Sequence, residues 1–280
     1  VYLYLASVWV DGLPGLVGFG AVFGVGCVAG LAGYWLLAVT PIPPMEARAD
    51  GGFARSLLTP LRDYRFAVLA LFLCSWTAAL QLGSAFYGVY MIRYLGLTYS
   101  RIAIYTNITL LCMILGYLLF GSIAQRYGSK PVAQILVVPG ALGPLLWMLV
   151  TRETYRGLLP VCCMLNGLSV SGLSVALGSL LYKIVPTGVR SSAYFAAWTG
   201  LSALAAGAGP LVGGALRDWL PSQVSIAGLQ VTSVQFLFGL SGYLFLVPLV
   251  VSTLIVEAEA TSPLYLLGQF RGNLLSFAYS

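Results

Sequence analysis

Residues 102–125 read IAIYTNITLLCMILGYLLFGSIAQ, without one charged side chain. Arg126-Tyr-Gly-Ser-Lys130 follows at once, and charge is absent again from Pro131 to Thr151. The hydrocarbon core of a bilayer is about 30 Å thick, and about 20 predominantly apolar residues cross it as an α-helix. Two such stretches around a short basic turn describe a helical hairpin that crosses a membrane, turns at its face and returns.

Working outward, charged residues bound five further windows of the same kind. They are Gly12–Met45, Phe66–Ile92, Gly157–Tyr182, Ser191–Leu216 and Trp219–Val256. The expected fold is therefore all-α, a polytopic bundle of about seven transmembrane helices. The last window exceeds what one helix needs. Its early part, Pro221–Gly228, carries Ser, Gln and Gly and reads as loop, so the helix is expected to begin near Val231. Gly12 and Pro14 open the first complete span, and residues 1–10 read as an earlier helix end or external lead-in. An apolar opening at Val1, without initiator Met or signal pattern, reads as a partial chain.

Composition agrees. Hydrophobic residues make up 59% and charged ones 8%, against about 25% charged in soluble domains. The net charge of +6 comes from 14 Lys and Arg against 8 Asp and Glu. These are scattered between apolar segments, which argues against a nucleic-acid surface and for anchors that set orientation. One face would hold Arg48, Arg55, Arg62, Arg65, Arg126, Lys130, Lys183, Arg190 and Arg271. The other would hold Arg93, Arg101, Arg152, Arg156 and Arg217. The richer face is the cytoplasmic one. Cys27, Cys74, Cys112, Cys162 and Cys163 all lie in apolar runs and read as packing residues. Histidine is absent, which removes the commonest general base and metal ligand. No cofactor or metal is expected, and the chain does not read as an enzyme.

Pro41, Pro43 and Pro44 open a mixed-charge connection that runs to Arg65. It divides the chain into residues 1–40, a linker at 41–65, a six-helix unit at 66–256 and a tail at 257–280. In the tail, Leu264–Ala278 reads as a segment lying on the membrane surface.

The turn between the third and fourth spans is Gly121-Ser-Ile-Ala-Gln125-Arg126-Tyr-Gly128-Ser-Lys130-Pro131. Gly121 would allow close helix approach, and Gly128 a backbone turn that a side chain would strain. Arg126 and Lys130 would anchor the turn in the interface, and Pro131 suits a first helical turn. This pattern resembles the cytoplasmic-loop signature of the major facilitator superfamily: a Gly, an Asp-Arg pair, a second Gly and basic residues. Gln125 stands at the acidic position, which removes the family's charge-paired latch from this copy. Pro60–Phe66, Tyr90–Ser100, Pro186–Arg190 and Ala206–Asp218 are similar to other passages of that family's C-terminal half.

The resemblance implies that the spans correspond to helices six to twelve, with 41–65 as the loop between two six-helix halves and the first five helices missing. It implies secondary active or facilitative transport of a small solute by alternating access about a central site. It places that site on the second and fifth spans. Thr77, Gln81 and Ser84 fall at i, i+4 and i+7 on the second, with Tyr87 a turn further. Asn166 and Ser169 share a face of the fifth, beside Gly167, Ser171, Gly172 and Ser174, which read as packing positions. Asn107 and Trp198 would flank the cavity. For each polar residue the competing reading is hydrogen bonding to a neighbouring helix.

Gly20 with Gly24, Gly26 with Gly30, and Gly209 with Gly213 have small-xxx-small spacing and read as packing within the bundle. Pro139, Pro144, Pro210 and Pro248 are expected to bend helices. Charge is absent from the centre of every span, so a coupling proton or ion would act through the missing half. The solute is expected to be neutral or amphipathic. The partners expected are thus a small-molecule solute and the lipid bilayer, in a bacterial-type inner membrane suggested by the compact loops. A seven-helix receptor or a membrane-embedded enzyme is the alternative.

Overall fold

The computed structural model describes residues 17–40, 59–186, 191–221, 223–226, 229–257 and 265. Residues 1–16, most of the 41–65 linker, the Thr187–Arg190 stretch and nearly all of the 257–280 tail lie outside these, and so do the expectations placed on them. The helices are α1 (Val17–Val39), α2 (Tyr64–Ser84), α3 (Tyr87–Arg93), α4 (Tyr99–Tyr127) and α5 (Ser129–Met148). They continue as α6 (Tyr155–Ile184), α7 (Ser191–Trp219), α8 (Ser233–Leu244) and α9 (Leu246–Leu254). With α2 joined to α3 and α8 to α9, seven spans among the described residues are long and apolar enough to cross a membrane. The protein is an all-α, multi-pass integral membrane protein.

Local chemistry sets the ends. Asp63 caps α2 by accepting the Arg65 N–H at 3.0 Å. Gly96 and Gly128 have φ of +67° and +98°, a region that costs a side chain steric strain but glycine nothing. At Gly128 this lets α5 start immediately after α4, as the turn motif predicts. Thr232 and Gln235 form a reciprocal capping box at the start of α8. Pro248 has no N–H and its ring crowds the Leu244 carbonyl, and the seventh span breaks at Phe245 accordingly. Pro139, Pro144 and Pro210 remain inside uninterrupted helices.

Two expectations about this region are corrected. Part of the presumed loop at 221–228 is a strand, β1 (Gln223–Ile226), paired antiparallel with β2 (Leu229–Thr232). The Val-Ser-Ile and Leu-Gln-Val-Thr runs carry β-branched residues at the density a strand favours, which the small polar residues masked. Gly121 faces open space, so it does not mediate close helix approach. Its neighbours Gly116 and Ala124 are buried instead, as is Ala103 near the start of α4.

Helix packing follows a rule. The main contacts pair α4 with α6, α7 with α2, α5 with α6, α8 with α2, and α5 with α8. Take one triplet of spans as α2–α3, α4 and α5, and the next as α6, α7 and α8–α9. Exchanging the triplets turns the α4–α6 contact into α7–α2 and the α5–α6 contact into α8–α2, and leaves α5–α8 unchanged. The matched interfaces use the same devices, carried by the opposite partner in each. Gly167 lets α6 approach the α4 backbone, and Gly209 and Gly213 let α7 approach α2 at Gln81, Leu82 and Phe86. Ser169 donates to the Leu136 carbonyl between α6 and α5, and Ser241 to the Ala79 carbonyl between α8 and α2. Three crossings separate matched helices, so they run in opposite directions, as in an inverted repeat.

The α1 helix stands apart. Every residue from Gly20 to Thr40 is exposed, and a side chain at Gly20, Gly24, Gly26 or Gly30 would meet nothing. Those glycines, expected to pack within the bundle, do not.

Candidate functional site

Near the middle of their lengths, α2, α6 and α7 border an open cavity of about 350 Å³. Leu73, Trp76, Thr77, Leu80 and Gln81 line it from α2, Ser174 and Leu177 from α6, and Trp198, Ser202 and Ala206 from α7. Small-molecule sites run from about 300 to 1,000 Å³ and pair apolar walls with a few placed polar groups. This cavity has both.

The polar groups are free to bind. Ser84 donates to Gln81 Oε1 at 2.9 Å, which leaves the two N–H groups of that amide without a partner among the described residues. Thr77 and Ser202 likewise have none. The Ser174 hydroxyl donates to Val170 within its own helix at 2.7 Å, so its oxygen still accepts. Pro210 supplies no N–H to the Ala206 carbonyl four residues earlier, and this backbone acceptor borders the cavity too. Unpaired amides and hydroxyls inside a membrane are costly unless water or a ligand satisfies them.

A second, closed cavity lies behind the first, with Trp76 lining both. Tyr87, Gly140, Pro144, Trp147, Asn166 and Ser169 are also on its wall, and its free volume is about 10 Å³. That is room for about one water. The Trp76 indole N–H is buried without a partner among the described residues, Asn166 makes no hydrogen bond among them, and Pro144 leaves the Gly140 carbonyl without its helical donor.

The sequence candidates thus divide. Thr77, Gln81 and Trp198 share the open cavity, and Ser84 orients the Gln81 amide from its edge. Tyr87 does not continue that face, because the helix breaks at Ala85 and Phe86. It stacks on Trp147 with ring centroids 4.2 Å apart. Asn166 and Ser169 line the closed cavity, where the Ser169 hydroxyl is spent on the α5 backbone. Asn107 is half-buried on α4 and borders neither cavity. Sequence reasoning missed Trp76, Ser202 and Ala206. The run Trp198, Ser202, Ala206, Pro210 recurs every four residues on one helical face, a signal that was present. Ser174, which reads as a packing position in the sequence, lines the open cavity.

The turn motif is held by a group outside it. Glu257, beyond α9, accepts the N–H of Ser129 at 3.2 Å and of Lys130 at 2.7 Å, at the N-terminus of α5. It also pairs with Lys183 of α6 at 2.6 Å. Arg126 lies over the Tyr127 ring at 5.5 Å, and Gln125 is exposed. A carboxylate therefore does reach this turn, but from 128 residues away in sequence.

No protein-family model matches the chain, and no curated protein matches it. Function has to be read from the cavity and the helices around it.

Proposed function

We propose that the chain carries the solute-binding half of a secondary transporter, which moves a small, neutral or amphipathic solute across a bacterial-type inner membrane by alternating access. The observation that carries this reading is the open, uncharged cavity with its unpaired amide and hydroxyl groups. Reversible binding of a neutral solute needs such groups, and bond-making chemistry needs more reactive ones. Two further features support it. The exchange symmetry of the helix contacts has the form of the 3+3 inverted repeats of such carriers, and the Gly121–Pro131 turn resembles the major facilitator signature. The exposed α1 fits a helix whose packing partners belong to another six-helix half. A coupling proton or ion would act through that half.

Single cysteines at Ser174 and Ser202, in an otherwise cysteine-free intact protein, provide the test. Both line the open cavity. A membrane-impermeant maleimide should label each from both sides of sealed vesicles, because alternating access exposes one site in turn to each compartment. Labelling confined to one side would end the transporter reading and favour a receptor.

A further inference from the structure

At the membrane end opposite the Glu257 clasp, the first turns of α4 and α6 border a pocket of about 310 Å³. Its wall is Arg101, Ile104 and Tyr105 of α4 with Tyr155 and Arg156 of α6. Arg156 donates from Nε to the Tyr155 hydroxyl at 3.4 Å, and its guanidinium lies 5.9 Å from that ring. Neither arginine forms an ion pair among the described residues, where Lys183–Glu257 is the sole one. Glu153, three residues before Arg156, pairs with neither.

The charges are also badly placed for the helices themselves. Arg101 and Arg156 both stand in first turns that hold no acid, where the helix dipole already presents positive charge. Two exposed guanidiniums and two helix ends thus meet at one pocket whose wall holds no acid. Planar guanidiniums are suited to oxyanions, which they hold by paired N–H donors, and the tyrosine hydroxyls add neutral donors.

A second feature says where the anion comes from. Ile104 belongs to the pocket, and Ile104, Leu111, Leu115 and Leu118 are all exposed along one face of α4. At 1.5 Å per residue this aliphatic track runs about 21 Å from the pocket into the membrane, more than one leaflet of a core about 30 Å thick. A basic pocket that opens onto such a track has the outline of a phospholipid.

We propose that the pocket between the N-terminal ends of α4 and α6 is an oxyanion site that seats the phosphate headgroup of an anionic phospholipid, with an acyl chain along Ile104–Leu118. The site is separate from the solute cavity and does not depend on the transporter reading.

The test uses the intact protein in neutral detergent, with its unfolding temperature followed as phosphatidylglycerol, phosphatidylcholine or inorganic phosphate is added. Phosphatidylglycerol should raise that temperature saturably, and phosphatidylcholine should need at least about tenfold more lipid for the same rise, because its headgroup is neutral overall. The double substitution Arg101→Gln with Arg156→Gln should abolish the difference between the two lipids. It should also leave the lipid-free unfolding temperature unchanged or higher, since it removes cations from helix N-termini. Arg217→Gln, at the end of α7, should keep the lipid preference. Equal response to both lipids, or a preference that survives the double substitution, would overturn the proposal. An equal rise with millimolar inorganic phosphate would overturn the lipid assignment and leave a free-anion site.

Discussion

Gly167→Ala should be the most damaging single-methyl change in the bundle, lowering stability by about 3 kcal/mol, the upper end for overpacking. A Cβ at this position would lie 2.5 Å from the Thr109 carbonyl oxygen, 2.8 Å from Cys112 Cβ and 3.2 Å from the Met113 nitrogen. Two of these three atoms are α4 backbone, which cannot rotate away as a side chain can. The α4 and α6 axes must part, and helix association in lipid depends on close packing rather than on a hydrophobic drive. The matched control is Gly121→Ala. Gly121 meets nothing within 4 Å, so alanine there should stabilise α4 by about 0.5–1 kcal/mol through propensity alone. Unfolding both variants in mixed detergent micelles measures the contrast. Equal stabilities would mean that the α4–α6 contact is looser than described.

Glu257→Ala should cost about 2 kcal/mol, the middle of the range for hydrogen bonds to charged groups. The Glu257 side chain is 5% exposed, whereas Lys183 is 56% exposed. The ion pair itself therefore contributes little, because water screens the lysine. The larger loss is that of the two N–H groups at the start of α5, which an N-terminal carboxylate serves well. Burial pushes the Glu257 carboxyl upward in pKa. The bonds from Lys183, Lys130 and Ser129 outweigh this and hold it below its ordinary value. The sign of the pH effect follows. Stability from this group is fully present above the ordinary glutamate pKa of about 4.3 and is lost as pH falls through the depressed folded value. The wild type and Glu257→Ala should thus differ at neutral pH and converge in acid. A constant difference across that range would show that the carboxylate charge is not what holds the turn.

The crossings were legible because charge is forbidden in hydrocarbon, so Arg, Lys, Asp and Glu mark the ends of each span within a few residues. Which helix touches which was not legible. A span that is apolar all round gives no periodic clue to its buried face, and the α4–α6 and α2–α7 partners emerge only from structure. Glycine spacing was an ambiguous guide for the same reason. Gly209 and Gly213 meet α2, but Gly20 to Gly30, with equal spacing, meet nothing. At the cavity, Thr77 and Gln81 could be read because a polar pair one turn apart in a membrane helix is conspicuous. Ser202 and Ala206 were not, because their role depends on Pro210 freeing a carbonyl and on which way α7 turns. Glu257 marked only the end of a window. Its partners at Ser129 and Lys130 are too distant in sequence for any local pattern to connect them.

The exchange of triplets is one of pairing and not of extent. The α4–α6 and α5–α6 contacts are larger than their counterparts α2–α7 and α2–α8. The triplets also differ in elements that only one of them carries. The Glu257 clasp is such an element. Its matched position follows α5, at the opposite face, and the acid there, Glu153, has no ion pair among the described residues. One carboxylate beyond the last helix therefore ties the start of α5 to the end of α6 at one face, a tie that the opposite face lacks among the described residues.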